Sequence, residues 1–127
     1  MSFDPGTAGR IRALLSGRDD VTETRVVGGG LGFLVGRHLC CALSERGLSV
    51  RVGPEAKAEA LSHETVRPLT LGRRETAAFV VVARAGYQAA GDLEAWVERG
   101  LRFVATLDQR PRPDRRARCE QGRAGHG

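Results

Sequence analysis

At 127 residues the chain is long enough for one hydrophobic core and too short for two. Apolar residues at 41% and charged residues at 28% are ordinary for a globular domain, and the longest apolar runs, such as Ala77–Ala83, fall far short of the ~20 residues of a membrane-spanning helix. The formal charge of +5 belongs almost wholly to one end: residues 110–127 carry six arginines against two acids, so residues 1–109 are left near neutral at +1.

Phe3-Asp4-Pro5 reads as a helix start, with Asp4 as cap and Pro5 where a missing N–H does no harm. Ile11, Leu14 and Leu15 recur at helical spacing and Gly17 stops the run, so the first helix is expected over about residues 5–16. Thr22–Val27 reads as a strand. After a glycine cluster, FLV and HLCCAL flank Gly36-Arg37 as the arms of a tight hairpin, and Arg46-Gly47 announces a second turn before the strand LSVRV. Connections this short require antiparallel pairing.

Gly53-Pro54-Glu55 opens a short alanine-rich helix, AKAEAL. Pro68–Ala77 is expected to be irregular or edge-like, while AFVVVA is apolar on both faces and suits a buried strand. Gly86 is read as a turn and Asp92 as the cap of a last helix, LEAWVERGLRFVATL. Its apolar stripe of Leu93, Trp96, Val97, Leu101, Val104 and Leu107 should close the core. The expected architecture is α+β, an antiparallel sheet flanked by N-terminal and C-terminal helices. It occupies residues 1–109, followed by a disordered arginine-rich tail at 110–127, whose composition cannot repay the entropy of ordering.

No stretch carries strong catalytic chemistry. VVGGGLGFLV invites a phosphate-cradle reading, but G-x-G-x-x-G would need glycine where Phe33 or Val35 stands, and a helix where a strand follows. The only lysine, Lys57, lies too far away for a P-loop. A bend between strands explains the cluster better. His38, Cys40 and Cys41 make no zinc set: in a regular strand His38 and Cys40 share one face and Cys41 takes the other, and no C-x-x-C partner exists. Buried thiols are the simpler reading, a catalytic Cys40 the other. Arg51 and Glu55 are expected to form a solvated pair, and Trp96 to be core.

MSFDPGTAGRIR has neither the basic start nor the apolar stretch of a secretory leader, and three cysteines with two adjacent make a poor disulfide framework. The chain is therefore expected in the cytoplasm with reduced thiols. The tail arginines Arg110, Arg112, Arg115, Arg116, Arg118 and Arg123 could hold polyanions weakly and without sequence preference, which gives an alternative reading as a nucleic-acid-associated protein.

Taken together, Gly29-Gly30-Leu31 with Phe33, then His38 with Cys40-Cys41, then Arg51-Val52-Gly53-Pro54-Glu55, then Trp96 and Gly100 resemble the N-terminal domain of the TfoX/Sxy family. The resemblance runs from about Phe3 to Leu107. It implies a compact α+β domain similar to the secretion-chaperone-like fold, with no cofactor and no catalytic residue. It also implies a regulatory role of the competence type, as a transcriptional co-activator working through a protein partner (a cyclic-AMP receptor protein in characterised members). Exposed strand edges add a possible homodimer. This chain departs from the family in having Val27-Gly28 where an aromatic residue commonly precedes the two glycines, and an arginine-rich tail where competence regulators carry a second domain.

Overall fold

The computed structural model describes residues 3–26 and 29–107. In chain order these are α1 (Pro5–Leu14), β1 (Val21–Arg25), β2 (Leu31–Val35), β3 (His38–Ser44), β4 (Gly47–Arg51), α2 (Pro54–Leu61), β5 (Val66–Leu71), β6 (Arg74–Val82), α3 (Arg84–Tyr87) and α4 (Ala90–Val104). The six strands form one open antiparallel sheet in the order β1-β2-β3-β4-β6-β5. The chain is α+β, as its pattern predicts.

The first four strands follow one another as hairpins, with Gly36 at φ 64° serving the β2–β3 turn. Gly47 opens β4 at φ 132°, where an added Cβ would stand 2.3 Å from the Val82 carbonyl oxygen. From β4 the chain crosses through α2 to the far edge, and β6 returns between β4 and β5. The segment expected to be irregular is in fact edge strand β5 and the start of β6, turning at Gly72. Its edge character is real. Pro68 cannot donate to a ladder, and the register slips between Pro68 and Thr70.

One face of the sheet carries the core. Register aligns Phe33, Cys41, Val50, Val80 and Pro68 in one row, and Leu31, Leu43, Leu48, Val82 and Val66 in the next. Against these rows pack Ala8 and Ile11 of α1, Ala60 of α2, Tyr87 of α3, and Leu93, Trp96, Val97 and Val104 of α4. All four helices therefore lie on the same face. Asp4 caps α1 through a hydrogen bond from the Thr7 N–H at 3.1 Å, as its sequence suggests.

Two expectations about the C-terminal segment fail. The last helix starts at Ala90 with Ala89 as its cap, so Asp92 lies in the first turn and not at the cap. The Leu93–Val104 stripe anchors the helix regardless of where its first turn begins. Gly86 sits within the short helix α3, where an added Cβ would come within 2.3 Å of Thr65 Oγ1. Compactness, not a turn, explains this glycine.

Candidate functional site

The motif residues gather mainly where α4 crosses β3 and β4. The strand alternation expected at Cys40-Cys41 is broken by a bulge: Phe33 pairs with Cys41 while Leu34 pairs with Leu39, leaving Cys40 as the extra residue. Both cysteines are fully buried, and their thiols are hydrogen bonded to each other. The hydrogen bond from Cys41 lowers the Cys40 pKa, and more distant Arg18 and Arg51 add to the shift. That same bond, with burial, pushes the Cys41 thiol up.

Gly100 lies directly above this pair. A Cβ there would stand 2.8 Å from Cys40 Sγ and 3.0 Å from the Cys40 carbonyl oxygen, so glycine is what lets the helix reach the sheet. Gly53, at φ 92°, precedes Pro54 at the start of α2 and lies under the Phe103 ring, 2.5 Å from where its Cβ would be. Glu55 follows in the first turn, where its charge suits the helix dipole.

Arg51 does not meet Glu55. Its guanidinium stacks over Phe79 at 5.5 Å and Phe103 at 6.0 Å, and Nη1 donates to the Leu39 carbonyl at 3.4 Å. Stacking wins over an ion pair here because two rings already shield the group and a carboxylate would have to be desolvated to join them. Burial lowers the Arg51 pKa, and its Nε is buried without a hydrogen-bond partner.

The remaining motif residues have structural places. Gly29, at φ 89°, closes the β1–β2 connection by donating to the Val26 carbonyl, while a Cβ on Gly30 would lie 2.6 Å from the Leu43 carbonyl oxygen. Leu31, Phe33 and Val52 are core residues, and His38 begins β3 opposite Val35. Trp96 sits one turn before Gly100 on α4, buried, donating from Nε1 to the Gly86 carbonyl at 3.1 Å. His63 meets the Trp96 ring edge-on and Arg99 lies over it at 4.8 Å. The tail arginines from Arg110 onward lie outside the described residues.

Two surface features were not visible in the residue pattern. A shallow cleft of about 280 Å³ between α1 and β1 is lined by Arg12, Leu15, Arg18, Val21, Glu23 and Phe33. The other is the sheet face turned away from the helices. Register carries Thr24, Gly32, Ala42, Ser49, Val81 and Arg67 across it in one row, beside Leu34, Leu39 and the Arg51–Phe79 pair. Ala42 and Val81 are buried yet lie outside the main core, and Arg67 reaches back across the sheet to donate to the Arg46 carbonyl at 3.0 Å. Leu34, Leu39 and Phe79 remain partly exposed and outside the main core, although Phe103 of α4 reaches the Arg51 guanidinium that stacks on Phe79. Sequence periodicity marks such positions as alternating small and apolar residues but does not say which face a helix will cover.

Among the described residues no group of three or more His, Cys, Asp or Glu side chains could hold a metal ion, and no helix is long and apolar enough to cross a membrane. No characterised protein and no solved structure shows significant similarity to the chain. A family model, that of the TfoX N-terminal domain, matches residues 13–104. The match begins within α1 and ends at the last residue of α4, enclosing the whole sheet and the crossing built on Cys40, Arg51, Gly53 and Gly100. The chain belongs to the TfoX N-terminal domain family.

Proposed function

We propose that the protein is a non-enzymatic regulatory module of the cytoplasm, a transcriptional co-regulator of the competence type that acts by binding a protein partner. The observation that carries this reading is the sheet face opposite the main core. Leu34 and Leu39 stay partly exposed around the small residues Gly32, Ala42 and Ser49. The ionisable groups in these rows are the cations Arg51 and Arg67. A face of this chemistry fits a partner segment that is apolar at its centre and acidic at its margin. The motif residues, by contrast, serve packing: Gly100 and Gly53 admit neighbouring groups, and Cys40 and Cys41 are sealed in the core.

The test is capture from native cell extract with immobilised wild-type protein, a Leu34→Asp variant and a Glu94→Arg variant on the outer side of α4. The proposal expects one retained protein to be lost with Leu34→Asp and kept with Glu94→Arg. Equal retention by all three would exclude the open face.

A second reading rests on the charge of the tail, where six arginines in 18 residues supply most of the net charge. It makes the protein a nucleic-acid-associated one that binds without sequence preference. Truncation after Gln109 should abolish DNA binding and its salt dependence. Tight binding by the truncated chain would refute it.

A further inference from the structure

The two edges of the sheet are not alike. β5 is blunted by Pro68 and a slipped register. β1, with the sequence VTETR, contains no proline, no lysine and no bulge, and four of its five residues are exposed. Which backbone groups it offers follows from its pairing with β2. Gly36 N donates to the Asp20 carbonyl at 2.8 Å and Val26 N donates to the Gly30 carbonyl at 3.1 Å. Residues 20, 22, 24 and 26 therefore turn their backbone groups toward β2. Those of Val21, Glu23 and Arg25 point away from the sheet.

We propose that β1 pairs antiparallel with β1 of a second copy about a two-fold axis at Thr24. The sequence is self-complementary in that register. Glu23 stands opposite Arg25 of the second copy, twice over, and these are the residues whose N–H and C=O groups point outward. Thr24 meets Thr24, and Thr22 meets Val26. On the helix face each interface carries two opposite-charge pairs. On the open face it carries two β-branched pairs and a threonine pair, all favoured cross-strand combinations. Shifting the axis by one residue to Glu23 sets Glu23 against Glu23 and Val21 against Arg25, so charge favours the Thr24 register over that one.

The existing ion pair does not obstruct this arrangement. Arg12 Nε donates to Glu23 Oε2 at 2.6 Å and Arg12 Nη2 to Oε1 at 3.0 Å. By register Glu23 shares the helix face with Phe33, out of the plane in which a strand adds. Arg25 is exposed and makes no ion pair among the described residues. Pairing would join two six-stranded sheets into one continuous antiparallel sheet, with eight helices on one face and two open faces side by side on the other. Contact limited to one short strand makes the dimer weak and concentration-dependent.

Sedimentation velocity of the full chain between about 10 μM and about 1 mM, the range of a small interface, tests it. The wild type should pass from monomer to dimer. Arg25→Glu, which sets Glu against Glu at two positions, should weaken association roughly tenfold. Glu23→Arg alone should also weaken it, and an equimolar mixture of the two variants should restore it, because every opposed pair is then Glu with Arg. Arg25→Pro removes an outward N–H that the fold does not use and should give a monomer with an unchanged circular dichroism spectrum. A wild type that stays monomeric to the top of the range overturns the proposal. So does a dimer indifferent to Arg25→Glu, or a mixture no stronger than its parts.

Discussion

Replacing Gly100 by alanine separates two opposing effects at the crossing of α4 over the sheet. Alanine in the middle of a helix normally stabilises by about 1 kcal/mol over glycine, because glycine gives up more backbone freedom on folding. Here the new Cβ would lie 2.8 Å from Cys40 Sγ and 3.0 Å from the Cys40 carbonyl oxygen. The second contact is with backbone in the interior of the sheet, which cannot swing aside, so α4 must lift from β3 and β4. Overpacking of this kind destabilises by about 1–3 kcal/mol. The net is a loss of roughly 1 kcal/mol, or about 5 °C in Tm for a domain of this size. Gly9 in α1 is the control: nothing lies within 4 Å of its added Cβ, so Gly9→Ala should raise Tm by a few degrees. Thermal unfolding followed by circular dichroism measures both. If Gly100→Ala raises Tm as Gly9→Ala does, the close approach of helix and sheet is wrong. Combining Gly100→Ala with Cys40→Ala should recover part of the loss, and additive effects would place the clash elsewhere.

Gly47→Ala should be more severe, by about 3 kcal/mol or more, because it combines φ 132° with a Cβ 2.3 Å from the Val82 carbonyl oxygen; chemical denaturation should show a sharply lowered midpoint. Arg51→Ala removes the group stacked between Phe79 and Phe103 and should destabilise by about 1–2 kcal/mol, and Arg51→Lys should recover little of it because an ammonium lacks the flat stacking surface. The carboxyls of Asp4, Asp20, Glu23 and Glu59 all titrate below their ordinary values, Asp4 through hydrogen bonds from Thr7 and the others through bonds from Arg18, Arg12 and Arg99. Lowered values mean that the folded state holds these protons less tightly than the unfolded chain. Their contribution is complete above the ordinary carboxylate range and is lost as pH falls from it through the lowered folded-state values, so stability should drop below about pH 4, and Glu23→Gln should flatten that drop. Cys40 and Cys41 should react with a thiol reagent only as fast as the core opens, so their labelling should accelerate with added denaturant; rapid native-state reaction of Cys40 would revive a catalytic reading.

Turn chemistry and periodicity alone determined much of this protein. Asp4-Pro5 and Pro54-Glu55 mark where α1 and α2 begin, Gly36 marks a hairpin, and the Leu93–Val104 stripe marks the helix that closes the core. These signals act over a few residues, through capping, φ preference and helical spacing, so they can be read without knowing what lies across the chain. The family likeness was legible for the same reason, since its residues recur as short ordered segments. The tertiary structure decided the rest. The bulge that brings Cys40 and Cys41 to one side depends on how β3 registers against β2, and strand alternation alone points them apart. Arg51 prefers Phe79 and Phe103 to Glu55 because two rings from β6 and α4 arrive there, about 30 and 50 residues later in the chain. Which face the helices cover, and so which residues lie outside the core, follows from the crossover of α2 and the docking of α4. Both are set by packing between segments far apart in sequence, and no local pattern encodes them.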